Sequence, residues 1–132
     1  MKISTYAKFF LDNLSSQFTT KDDSKPLPQL LTEAKGYYDP VLPRKADADT
    51  RVESVRVESS SLVFENTLFT AEKDELDGDE FKRILTDILT AEAHRLKILR
   101  RILDKGGCLV YRYVDMNGDL VTEITLPEPR DG

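Results

Sequence analysis

Asp79–Asp104, DEFKRILTDILTAEAHRLKILRRILD, decides the fold. Apolar residues recur at Phe81, Ile84, Leu85, Ile88, Leu89, Ala91, Leu96, Leu99, Ile102 and Leu103. That three-and-four spacing draws one stripe along a 3.6-residue helix, and the stripe needs a cover. Thr90 to His94 interrupts it, which predicts a bend or a split in two there. Gly106-Gly107 supplies the stop, since glycine readily adopts the left-handed conformation that ends helices.

The cover follows directly in sequence. Cys108–Asp115, CLVYRYVD, and Asp119–Leu126, DLVTEITL, flank Asn117-Gly118, a pair suited to a two-residue turn with both central φ angles positive. That turn sets Tyr113 opposite Thr122, Tyr111 opposite Ile124 and Leu109 opposite Leu126, on the face that the helix should cross. Arg112 then meets Glu123 on the other side. Val110, Val114 and Val121 share this second side with Arg112 and Glu123, so it is too apolar to be simply wet and too charged to be core. These five residues are the candidate interaction surface, expected to be covered by the first helix or the crossing segment, by a second copy of the chain, or by a partner.

Working outward, Arg51–Glu58, RVESVRVE, and Leu62–Thr70, LVFENTLFT, read as a first hairpin. A connection at Ser59 and Ser60 would pair Val57 with Leu62 and Val55 with Phe64. Six carboxylates in Ala71–Glu80 precede the central helix, where the unpaired N–H groups of a helix start favour negative charge. Further upstream, Ile3, Tyr6, Ala7, Phe10, Leu14 and Phe18 fall at helical spacing, which predicts a first helix over Lys2–Phe18. Thr19–Pro28 reads as a loop, Gln29–Lys35 as a short helical turn stopped by Gly36, and Tyr37–Thr50 as an ordered, irregular crossing. The tail Pro127–Gly132 reads as frayed.

The totals narrow function by exclusion. A chain of 132 residues is about one domain. Its 24 acidic and 19 basic residues are interleaved and leave a net charge of −5, which argues against binding a nucleic-acid backbone or an anionic membrane. A single cysteine, Cys108, excludes an internal disulfide and any multi-cysteine zinc site. No apolar run is long enough to span a membrane, and none follows a basic start as in a signal peptide. His94 is the one histidine, and no nucleophile motif surrounds it or Cys108. Asp115–Asp119 resembles the opening of a calcium loop, but glycine falls at the fourth place and Leu126 at the twelfth, so a hairpin turn is expected. No phosphate loop is present. Tyr37, Tyr38, Tyr111 and Tyr113 are expected to serve packing.

From Asp49 onward the order of features resembles a group of small uncharacterised bacterial proteins, often exported or envelope-associated. They share an aspartate-threonine-arginine start to a hairpin, a helical segment ending L-L-x-x-G, and a Y-x-Y-x-D-x-x-G hairpin. The matching residues are Asp49-Thr50-Arg51, Ile102–Gly106 and Tyr111–Gly118, within about the last 80 residues. Those proteins commonly carry a signal peptide and a mid-helix cysteine, whereas this chain has Thr90, Ala91 and Ala93 in that region. The resemblance implies a fold and an envelope connection, and no activity.

These observations predict an α+β domain: two antiparallel hairpins forming a roughly four-stranded sheet packed by a long central helix, with an additional N-terminal helix. Residues 1–48 are read as the N-terminal helix and crossing segment, and 49–127 as the core of one domain. The expected function is that of a non-enzymatic bacterial binding or accessory protein acting through protein contact, or through self-association, without metal or cofactor. A secretion-chaperone or immunity-type protein is one alternative. A small-ligand-binding or hydrolytic domain is another, and would require His94, Cys108 or several carboxylates to converge in a pocket. The chain as it stands reads as cytoplasmic, and as periplasmic or envelope-located if a signal segment has been removed.

Overall fold

A computed structural model describes residues 25–128 of the chain. The helix expected over Lys2–Phe18 and residues 129–132 of the tail lie outside the described residues. The fold is α+β. Helix α1 (Leu27–Tyr38) leads into strand β1 (Arg44–Lys45) and the hairpin of β2 (Thr50–Glu58) and β3 (Ser61–Leu68). Helices α2 (Gly78–Arg95) and α3 (Lys97–Asp104) follow, then the hairpin of β4 (Cys108–Val114) and β5 (Leu120–Leu126). The five strands lie in the order β1-β2-β3-β4-β5, with β3 and β4 parallel and the other neighbours antiparallel. The sheet thus has one strand more than expected, because Arg44-Lys45 pairs with Arg51-Val52 at the β2 edge.

All three helices cover one face. Leu62, Phe64 and Leu68 of β3, Leu109, Tyr111 and Tyr113 of β4, and Ile124 and Leu126 of β5 alternate into that core. Tyr38 meets Phe64 edge-on at 5.2 Å, Phe64 stacks on Tyr111 at 4.6 Å, and Phe81 meets Tyr113 edge-on at 5.4 Å. These rings join α1, β3, β4 and α2 through contacts with the offset and edge geometries that aromatic quadrupoles favour.

The central helix is split as expected, but at Leu96 and not within Thr90–His94, through which α2 runs unbroken. Leu96 is extended at φ −86° and ψ 115°, so it closes α2 and opens α3. Burial explains the break: α2 buries Phe81, Leu85, Leu89 and Ala93, while α3 buries Ile98, Leu99 and Ile102. At about 100° per residue, an unbroken helix would aim Ile98 and Ile102 roughly 140° round the axis from Leu85 and Leu89. Turning at Leu96 lets both stripes face the sheet.

The helix expected over Gln29–Lys35 is longer, and Gly36 does not stop it. Leu30, Leu31, Ala34 and Tyr38 form one continuous buried stripe. Burying Tyr38 outweighs the roughly 1 kcal/mol that an interior glycine costs. Helix α1 and Ala46, upstream of position 49, therefore share the same core as the hairpins.

Both hairpins keep the expected register over most of their length. Val57 pairs with Leu62 and Val55 with Phe64, with Ser59 at φ +52° in the turn. In the second hairpin Leu109 pairs with Leu126, Tyr111 with Ile124, Arg112 with Glu123 and Tyr113 with Thr122. The turn itself differs from the two-residue form. Gly118 takes φ +86° while Asn117 keeps a negative φ, and the register slips by one at Val114, which pairs with Leu120. The cause is Asp115. Its carboxylate accepts the N–H of Asn117 (2.8 Å) and of Asp119 (2.9 Å), closing a turn in which Gly118 N–H reaches the Asp115 carbonyl. Its second oxygen accepts the N–H of Lys73 at 2.7 Å and so ties the hairpin tip to the connection before α2. That connection uses its carboxylates as caps: Glu72 and Glu75 box a short 3₁₀ turn, and Asp77 accepts the Glu80 N–H at 3.2 Å.

Gly106 at φ +85° ends α3, with Gly107 N–H on the Ile102 carbonyl and Gly106 N–H on that of Leu103. A Cβ on Gly107 would fall 2.8 Å from both Ile102 Cγ2 and Leu27 Cδ1, whereas one on Gly36 would meet nothing within 4 Å. Two opposite outcomes are expected from one chemical change, read by urea unfolding. Gly107→Ala should lose about 1–3 kcal/mol through overpacking. Gly36→Ala should gain about 0.5–1 kcal/mol by reducing the freedom of the unfolded chain.

The N–H of Lys73, with help from those of Asp119, Asn117 and Gly118, holds the Asp115 carboxyl below its ordinary pKa. A depressed folded-state pKa contributes stability that is present above the unfolded value of about 4 and is lost as pH falls through the folded one. Asp115→Asn should therefore be less stable than the parent at pH 7, with the gap closing below pH ~4. A gap independent of pH between ~7 and ~2 would show that the charge of Asp115 is not what the turn uses.

Candidate functional site

Two surface features arise from this architecture. The first is the sheet face turned away from the helices. Val110, Arg112 and Val114 project there from β4, flanked by Val63, Glu65 and Thr67 on β3 and by Thr125, Glu123 and Leu120 on β5. Charges cross this face as a ladder over four strands: Glu58 meets Arg56 at 3.0 Å, Arg56 pairs with Glu65, Glu65 meets Arg112 at 3.5 Å, and Arg112 meets Glu123 at 3.0 Å. The Glu65 carboxylate raises the Arg56 guanidinium above its ordinary pKa. Exposed pairs of this kind contribute about 0–1 kcal/mol each, so the ladder fixes a charge pattern more than it stabilises the fold. Val110 and Val114 are half-buried beside it, and Leu120 is 43% exposed.

Of the five residues expected to form the interaction surface, Val110, Arg112, Val114 and Glu123 share this face. Val121 is the exception. It is the extra residue of the register slip between Tyr113 and Val114, and it packs against the core. The two-residue turn had placed it outward; the Asp115-centred turn rotates it away.

The second feature lies where α2, α3 and the end of β5 meet. A cavity of about 280 Å³ is lined by Thr90, His94, Leu103, Asp104, Leu126, Pro127 and Glu128. A neighbouring hollow of about 280 Å³, lined by Asp79, Lys82, Arg83, Thr86, Asp87 and Glu128, continues it along α2. Together they make a trough beside α2, walled on the other side by residues 126–128. Thr90 Oγ1 is buried there and has no hydrogen-bond partner among the described residues. Thr90 and His94 of the interrupted stretch line this trough, while Ala93 between them is buried in the core.

The trough brings His94 together with Asp104 and Glu128, but not with Cys108, which opens β4 beside Ser61 of β3. Among the described residues no hydrogen bond joins His94 to a carboxylate or to Thr90, so no activated nucleophile is assembled. No group of three histidine, cysteine or carboxylate side chains is arranged to hold a metal among them either. No helix among them is long and apolar enough to cross a membrane. Tyr38, Tyr111 and Tyr113 lie in the core, where burial raises the hydroxyl pKa of Tyr38 and Tyr111.

No family model matches the sequence, and no curated protein matches it. Solved structures share its fold. One is a protein of Pseudomonas aeruginosa described as secreted, with a TM-score of 0.63 at 14% identity over 83% of this chain and 95% of the other. Two are type II secretion system pilotins. EpsS of Vibrio vulnificus has a TM-score of 0.57 at 14% identity, over 79% of this chain and 96% of its own. AspS of Vibrio cholerae has a TM-score of 0.57 at 14% identity, over 76% of this chain and 87% of its own.

The placements of Val114 and Val121 separate their behaviour. Val121→Arg should cost about 1–3 kcal/mol in urea unfolding, because it sets a charge against the core. Val114→Arg should stay within about 1 kcal/mol of the parent. Equal losses in the two variants would contradict the assignment of Val121 to the core side.

Proposed function

We propose that this protein is a non-enzymatic accessory protein of bacterial secretion or of the cell envelope, and that it acts by binding another protein. The observation that carries this reading is the shared fold with two type II secretion pilotins, which covers more than three quarters of this chain and 96% and 87% of theirs. The secreted P. aeruginosa protein points to the same compartment. An envelope or periplasmic location is accordingly favoured here over the cytoplasmic one, which draws no support from these neighbours. The sequence resemblance to small exported or envelope-associated proteins fits the same setting.

The geometry supports protein contact as the mode of action. An outer sheet face carrying Arg112, Glu123 and two half-buried valines suits a protein surface, since it pairs a fixed charge pattern with apolar area. The hydrolytic or small-ligand alternative keeps the convergence of His94 with Asp104 and Glu128 in the trough but loses Cys108, and no hydrogen bond among the described residues couples His94 to a nucleophile.

The test is affinity capture of the tagged protein from envelope and cytoplasmic fractions of its native host. A secretion-machinery component should co-purify in near-stoichiometric amount from the envelope fraction, and deleting the gene should impair export. Recovery of the bait alone, together with unimpaired export in the deletion strain, would overturn the proposal.

A further inference from the structure

The two edges of the sheet are unlike. The β1 edge is two residues long, carries Lys45 and follows Pro43, the features by which native sheets discourage further pairing. The β5 edge runs for seven residues, LVTEITL, and contains neither proline nor lysine. Its backbone orientation can be fixed by alternation. Cys108 donates its N–H to Ser60, on the β3 side, and the Arg112 carbonyl accepts from Asn66, also on that side. Leu109, Tyr111 and Tyr113 therefore direct their N–H and C=O groups toward β5, where their partners are Leu126, Ile124 and Thr122. The intervening Glu123 and Thr125 direct theirs away from β4, to the open edge. Among the described residues no further strand pairs with them.

The geometry points to strand addition at this edge: an extended, basic segment of a partner protein pairs with Glu123 and Thr125 as a sixth strand and continues past Leu126 toward the acidic trough beside α2. This inference deepens the protein-binding reading and rests on it. The dimensions agree. From Lys82 to His94 the flank of α2 runs roughly 18 Å, and a strand of six residues spans about 20 Å. The chemistry of the occupant follows from charge. Along the trough Asp79, Asp87, Asp104 and Glu128 outnumber Lys82 and Arg83, and Glu123 stands on the edge itself. A second copy of this chain is disfavoured as occupant, because antiparallel pairing of two β5 edges about their centre would set Glu123 against Glu123, and like charges directly opposite repel. A segment alternating lysine or arginine with small apolar residues meets both the carboxylates and the open N–H and C=O groups.

The probe is a nine-residue peptide alternating lysine and valine, with a glutamate-valine peptide as its counterpart, titrated by fluorescence anisotropy against the full chain. The lysine peptide should bind saturably, slow amide exchange at Glu123 and Thr125, and bind at least tenfold tighter than the glutamate peptide. Thr125→Pro removes one outward N–H and no bond of the β4–β5 ladder, and should weaken binding tenfold or more. Glu123→Lys keeps every backbone group and should reverse the preference between the two peptides. No saturable binding of the lysine peptide, or binding unchanged in both variants, would overturn strand addition. In the capture experiment, a partner retained by Thr125→Pro would sink the edge and leave the protein-binding reading standing. Absence of any partner for the parent chain would sink that reading instead.

Discussion

The parallel pairing of β3 with β4 is the constraint from which the rest follows. Two parallel neighbours cannot be joined by a tight turn, so the chain leaving Leu68 must travel back the length of the sheet before Cys108 can start β4. Helix α2, with 18 residues and a length of roughly 27 Å, makes that return. Because the crossover lies on one face, the apolar stripes of α2 and α3 and the inward residues of β3, β4 and β5 define a single core there. The opposite face then receives the Glu58–Arg56–Glu65–Arg112–Glu123 ladder. The break at Leu96 belongs to the same constraint, since a return by one straight helix would leave Ile98 and Ile102 facing water.

Much of this was legible from periodicity. The α2 stripe, the register of both hairpins, the Arg112–Glu123 pair and the glycine stop at Gly106 all follow from local pattern, because each depends on side chains a few residues apart. What escaped depended on groups distant in sequence or on a competing local bond. Arg44 and Lys45 carry no strand signal of their own and become a strand only because β2 offers an edge. Gly36 reads as a stop until Tyr38 is seen to be needed in the core. Asn117-Gly118 suits a two-residue turn, but the Asp115 carboxylate takes the N–H groups of Asn117, Asp119 and Lys73, and the last is 42 residues away. Four of the five proposed surface residues kept their face. Val121, adjoining that turn, did not. The trough beside α2 escaped, since its other wall comes from the end of β5, and the gap in the stripe beside it reads as a bend.

The residues that carry the sequence resemblance serve as punctuation in the fold. Asp49 accepts the Thr70 hydroxyl at 2.5 Å, Gly106 gives α3 its left-handed end, and Asp115 with Gly118 builds the hairpin tip. Asp49, Gly106, Asp115 and Gly118 lie neither on the outer sheet face nor in the trough, whereas Leu103 and Asp104 of the same matches line the trough and Arg112 and Val114 lie on that face. A likeness carried by such residues can persist between proteins whose binding surfaces differ, because selection on turn geometry is separate from selection on partner chemistry. The same holds for solved structures at 14% identity, where fold is shared and surface is free to vary.

That separation has a physical basis in how this chain divides its side chains. The core devices, namely the Tyr38–Phe64–Tyr111 stack, the Gly107 close approach and the Asp115 turn, lie on the helical side of the sheet or at its ends. The charge ladder and the open backbone groups of Glu123 and Thr125 lie on the outer face and at the β5 edge. The two sets meet at β5, where Ile124 and Leu126 enter the core between outward-facing Glu123 and Thr125. Alternation along one strand thus lets a single segment anchor the fold with every second residue and turn the others outward. Anchoring through Ile124 and Leu126 also holds the open groups in an extended, pre-ordered line, which lowers the ordering cost that strand addition would otherwise carry.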